Sequence, residues 1–120
     1  MEQKWNYMPP NKVLKLILDI QSIIREVEIV IDLHEKDYFK FSANFMAVRT
    51  VERDLEIIGE AVKNLKIIDP TIDITSYKHI IGLRNMIVHA YDTIDPTTLW
   101  KIIIKDLPLL KEEIQKIKDL

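Results

Sequence analysis

The stretch "NKVLKLILDIQSIIREVEIVIDLH", Asn11–His34, decides the fold class. Val13, Leu16, Ile17, Ile20, Ile23, Ile24, Val27, Val30 and Ile31 recur at spacings of three and four, the period of a helix with one buried face. Pro9-Pro10 stands ahead of it and Asn11 is a suitable N-cap, so a helix is expected from Asn11 to about His34. Leu14, Leu18, Ile29 and Leu33 lie outside the main stripe and give this helix a second apolar face.

Downstream, a polar turn around Glu35–Lys40 leads to Ser42, a candidate N-cap for a second helix reaching about Leu65. Val48, Val51, Leu55, Ile58, Val62 and Leu65 form its core side. Its other side carries Arg49, Glu52, Arg53, Glu56, Glu60 and Lys63, which reads as a solvated face with pairs such as Arg53–Glu56. Lys66–Ser76, containing Asp69-Pro70, reads as a loop, and Ser76 can cap a third helix from Tyr77 to about Ala90. Asp95 caps a fourth, with Pro96 in its first turn where the missing N–H costs nothing. Pro108 falls inside that last segment and should kink or split it. Helices joined by short connections predict an all-α, antiparallel up-down bundle of four to five helices, one domain over residues 1–120.

Composition agrees. Two glycines, 48% hydrophobic and 30% charged residues suit a helical chain, and 120 residues suffice for a core. Without cysteine, neither a disulfide framework nor a thiolate metal site can form. MEQKWNYMPP lacks a basic segment followed by an apolar one, and no apolar run approaches the roughly 18–20 residues of a membrane span. A cytoplasmic chain with no membrane association is expected. The formal net charge of −2 argues against a general nucleic-acid coat protein, so any nucleic-acid contact must be local.

Chemistry concentrates in "IIGLRNMIVHAYDTIDP", Ile80–Pro96. Asn85 and His89 are one helical turn apart and share a face; Arg84 and Tyr91 align if the helix persists that far. Ile80, Leu83, Met86, Ile87 and Ala90 form a stripe on the opposite side, which turns His89 away from the local core. Ile81 and Val88 fall between Arg84 and His89. That apolar strip, with the spare face of the first helix, predicts a homodimer whose seam holds the polar cluster. His34, His79 and His89 lack metal-motif spacing, and there is neither a Gly-rich phosphate loop nor a nucleophilic Ser elbow. The groups suit a reaction without metal or cofactor, needing one titratable side chain and one cation. RNA carries its own nucleophile, the 2′-OH, and its cleavage needs a His to move the proton and an Arg to stabilise the pentacoordinate phosphate.

"RNMIVHAY" fits the R-x4-H-x-Y signature and resembles the HepT-like ribonuclease toxins of the HEPN superfamily. "VERDLEIIGEAVKNL" (Val51–Leu65) is similar to that family's second helix, "YKHIIGLRN" to its approach to the motif, and "LWKIIIKDLPLL" to its closing helix. Tyr77 departs from the Trp that relatives often carry. The resemblance implies a dimeric helical bundle, metal-independent RNase activity and a small nucleotidyltransferase antitoxin that can transfer AMP to the motif tyrosine. It makes Arg84 and His89 catalytic, Asn85 an orienting residue and Tyr91 the modification (AMPylation) site. Asp19, Arg49 and Glu60 could line the cleft, although surface charge is the simpler reading of them. The alternative is a non-catalytic HEPN binding module that partners a nucleotidyltransferase.

Overall fold

The computed structural model describes residues 11–92 and 94–119. Among them the elements are α1 (Asn11–Leu33), α2 (Tyr38–Ala43), α3 (Phe45–Ile68), α4 (Tyr77–His89), α5 (Pro96–Lys101), a π-helical turn (Ile102–Asp106) and α6 (Leu107–Asp119), with no strand. The fold is all-α, as the periodicity requires. Pro9-Pro10, the side chain of Asn11 and the N-terminal segment read above lie outside the described residues.

α1 buries Val13, Ile17, Ile20, Ile24, Val27 and Ile31, while Leu16, Ile23 and Val30 are half-buried beside them. It ends in a Schellman motif: Lys36 N–H donates to the Ile31 carbonyl at 2.9 Å and Glu35 N–H to that of Asp32 at 2.9 Å. Glu35 and Lys36 take positive φ, 58° and 54°, where glycine would be easier.

The next stretch corrects the sequence reading. The expected polar turn gives way at Tyr38 to the short helix α2, capped by Asp37, whose carboxylate accepts from Lys40 N–H at 3.0 Å. α2 exists because Phe41 is fully buried, packed 5.6 Å from the Trp100 ring. Ser42 is therefore helical, and Asn44 caps α3 instead, its side-chain oxygen accepting from Met46 and Ala47 N–H. α3 runs to Ile68 rather than Leu65 and buries every predicted core position, Val48 to Leu65. Asp69-Pro70 then stops it. Ser76 precedes α4 as expected, but its hydroxyl makes no capping bond. α4 ends at His89, one residue early, so Tyr91 leaves the helical path and does not align with Arg84.

Three sets of contacts set the helix directions. His34 meets Asn44 and Glu26 acts on Asp54, so α1 and α3 run antiparallel. Arg84 meets Glu60, and Glu52 accepts from Ile94 N–H at 3.2 Å, so α3 and α4 do too. Gln21 with Gln115 and Glu28 with Lys111 set α6 antiparallel to α1. Asp95 caps α5 as read, accepting from Thr97 N–H at 2.9 Å. The split expected at Pro108 takes the form of the π-turn, where Leu107 N–H reaches back to Ile102. That wider turn, just ahead of Pro108, makes room for a ring lacking an N–H.

Asp54 is a charge set within the core side of α3. It is 5% exposed, and its Oδ2 has no partner among the described residues. Burial, reinforced by Glu26 and opposed by Arg53, pushes its carboxyl from 3.8 up to about 6. The folded chain thus holds this proton more tightly than the unfolded chain, and stability declines as pH rises from about 4 to about 6. Asp54→Asn should raise the denaturation midpoint at pH 8, remove on the order of 2 kcal/mol of penalty and leave stability at pH 4 nearly unchanged. Denaturant titrations at the two pH values measure this; equal shifts at both would show that burial does not raise the Asp54 carboxyl in the folded chain.

Candidate active site

α4 forms a ridge. Ile80 and Leu83 are buried and Ile87 half-buried on its inward side, while Lys78, Asn85 and His89 are exposed opposite them. On a helical wheel those three lie within about 40° of one another. Met86 and Ala90 do not join the inward stripe as expected: Met86 is 51% exposed, about a quarter turn from the ridge. Ala90 is the extended C-cap residue beyond the helix.

Arg84 lies on the flank that meets α3, and the meeting is unusually close. A Cβ added at Gly59 would stand 2.5 Å from Arg84 Cβ and 2.9 Å from its Cγ. The stem of Arg84 thus runs where a side chain at residue 59 would be. Gly59 is one of only two glycines in the chain and sits inside a helix, where glycine costs about 1 kcal/mol relative to alanine. Its next neighbour, Glu60, fixes the guanidinium: Oε2 is 2.6 Å from Arg84 Nη2. Arg84 Nη1–H donates to Asn85 Oδ1 at 3.0 Å. Nε–H is buried without a partner among the described residues. Two terminal N–H groups remain for a ligand.

Beside Arg84 a groove of about 590 Å³ is lined by Asp19 and Ile23 of α1, Arg53 and Glu60 of α3, and Val88 of α4. Two of the three additional candidates thus stand near Arg84, though Asp19 is paired with Lys15 at 2.8 Å and only Glu60 touches the guanidinium. Arg49 is exposed and outside this groove. Asn85, His89 and Tyr91 stand outside it as well. His89 is exposed at the last residue of α4, and Tyr91 is fully exposed beyond the helix end. Arg84 and His89 are separated by roughly 140° around the axis and about 7.5 Å along it. One chain therefore presents them on different sides of the ridge. Val88 is exposed and Ile81 half-buried between them; Leu14, Leu18, Ile29 and Leu33 are exposed on α1.

Several features were missed in the sequence. Gly59 carried a signal, since a lone helix-interior glycine demands a reason. So did Asp54, an acid interrupting the core stripe between Val51 and Leu55. Glu52, read as solvated, anchors the segment after α4 through Ile94.

A family model described as Ribonuclease HepT-like matches residues 15–117, from α1 almost to the end of α6. The chain belongs to the HepT-like ribonuclease family. It is 33% identical over 115 residues to a putative RNase of Methanocaldococcus jannaschii, covering 94% of this chain and 97% of that protein. It is 30% identical over 104 residues to the probable ribonuclease HepT of Thermococcus cleftensis, covering 82% of this chain and 92% of that one. No solved structure matches the chain. The R-x4-H-x-Y pattern of this chain is divided among the Arg84 flank, His89 at the end of the ridge and Tyr91 in the exposed segment beyond α4. Among its described residues, no helix is long and apolar enough to cross a membrane.

Proposed function

We propose that this HepT-like chain, one domain over residues 1–120, is a metal-independent endoribonuclease. It acts in the cytoplasm as the toxin of a toxin–antitoxin pair whose other member is a small nucleotidyltransferase. The observation that carries this reading is the Arg84 guanidinium, held between Glu60 and Asn85 beside the exposed ridge that ends in His89. In the reaction His89 removes the proton of an RNA 2′-OH, and the 2′ oxygen attacks the adjacent phosphorus. Arg84 stabilises the charge gathered on the phosphoryl oxygens, and Asn85 keeps Arg84 aimed. The 5′ oxygen of the next nucleotide departs, taking a proton from solvent water, and a 2′,3′-cyclic phosphate remains.

The divergence of Arg84 and His89 around α4 supports a two-fold homodimer. A second copy over the Ile81–Val88 strip brings two motifs to one cleft and covers apolar surface that one chain leaves open. Light scattering at micromolar concentration should give twice the chain mass, and Val88→Glu should shift the population toward the monomer. A monomeric unaltered chain that cleaves RNA would remove the dimer from the mechanism.

Tyr91 is the proposed target of the partner. Its hydroxyl attacks the α-phosphorus of ATP in the nucleotidyltransferase, pyrophosphate leaves, and the tyrosine carries AMP. Full exposure beyond the end of α4 supports its access to a second enzyme. The adduct adds about one negative charge near the site where RNA phosphate must bind. Tyr91→Phe should retain cleavage but become insensitive to the partner and ATP. Mass spectrometry of the co-expressed pair checks this, and an unmodified Tyr91 in a fully silenced toxin would mean that the partner acts by occlusion.

A further inference from the structure

The RNA-cleaving reading leaves a physical problem: the groove beside Arg84 holds Asp19, Glu56 and Glu60 against Arg53 and Arg84, a poor field for a polyanion. The other side of the α4 ridge is different. There α4 and the α5–π segment enclose a groove of about 650 Å³ lined by Lys78, His79, Met86, Trp100, Lys101 and Lys105, with Ile104 and Asp106 also in its wall. Three lysines there face one aspartate, and that aspartate is 4% exposed and turned inward. No carboxylate among the described residues lies within ion-pair distance of Lys78, Lys101 or Lys105. His79, also in the groove wall, has its Nδ1 3.2 Å from Asp106 Oδ1, and that contact leaves its other nitrogen uninvolved. Asp106 closes the π-turn, a feature found often at functional sites.

We infer that this groove is the path of the RNA strand flanking the cleavage point. Resting on the ribonuclease reading, the inference adds where the strand lies. Lys101 and Lys105 meet phosphates, Lys78 and His79 line the α4 side, and Met86, Ile104 and Trp100 offer apolar surface to bases. That mixture suits a single strand, whose bases are open to contact, better than a duplex whose bases are stacked away. Met86 lies about a quarter turn from Asn85 and His89, so the groove opens on the ridge itself. From Lys78 to His89 the helix rises about 16 Å, room for a few nucleotides beyond the reacting one. A chain with net charge −2 thereby gains a local cationic track from residues far apart in sequence.

The test measures binding of a labelled single-stranded RNA of about 16 nucleotides by fluorescence anisotropy over a range of salt concentrations. All proteins carry His89→Ala to prevent cleavage. Adding Lys101→Glu with Lys105→Glu should weaken binding at least tenfold and flatten the log K against log salt slope by about 1.4, two phosphate contacts' worth. Lys116→Glu with Lys118→Glu makes the same charge change outside the groove and should keep both affinity and slope. If both double variants bind alike, the lysines of this groove are not on the RNA path and the inference is overturned. Cleavage of a dinucleotide by the unaltered chain is measured alongside. Its absence, together with no cleavage of the longer RNA, overturns the ribonuclease reading itself.

Discussion

Replacing His89 or Arg84 by alanine should lower RNA cleavage roughly 10²–10⁴-fold while the helical signal and thermal transition persist. The two losses have different causes. His89 is exposed, so its removal should take away the proposed proton carrier with little effect on the core. Arg84 is 20% exposed and lies along Gly59, so its loss opens a small gap between α3 and α4 and frees Glu60. Glu60 is 47% exposed and can be hydrated, so the fold tolerates this. Cleavage by the unaltered chain should survive a chelator and leave 2′,3′-cyclic ends. Complete dependence on added magnesium would contradict the mechanism.

The second large effect is at Gly59. Gly59→Ala would ordinarily stabilise a helix interior by about 1 kcal/mol. Here the new methyl would meet the Arg84 stem at 2.5 Å, well inside any contact that two carbons tolerate. Either α3 and α4 separate or Arg84 moves away from Glu60 and Asn85. The expected result is a stability loss of about 1–3 kcal/mol, with a fall in cleavage approaching that of Arg84→Ala. A double-mutant cycle isolates the cause. Arg84→Gly removes the opposing Cβ, so in that background Gly59→Ala should be neutral or stabilising. An equal cost in both backgrounds would falsify the steric account. Urea titration and the cleavage assay give the two readouts.

Much of this was legible in the residues. The stripes of α1 and α3 are long and strictly periodic, and every core position read on α3 is buried, because a helix fixes which residues share a face before any partner is present. The short elements were not legible. α2 has too few residues to show a period and forms because Phe41 and Trp100 close on one another; this moves the α3 cap from Ser42 to Asn44. Met86 looked like core by spacing and is half exposed because the π-turn segment leaves a groove beside it.

The residues alone were enough to read the all-α class and to mark Arg84, Asn85, His89 and Tyr91, on α4 and just past its end, as the candidate set. These follow from local spacing, and local spacing is all that one helix needs. Only the tertiary structure decided what surrounds them: Gly59 and Glu60 against Arg84, Asp106 against His79, Glu52 holding the segment past α4, and Lys78 joined by Lys101 and Lys105 in one groove. The physical reason is that each of these pairings depends on the separation and register of two helices. That register is set by the summed packing of the whole core, to which no single stretch of residues holds the key.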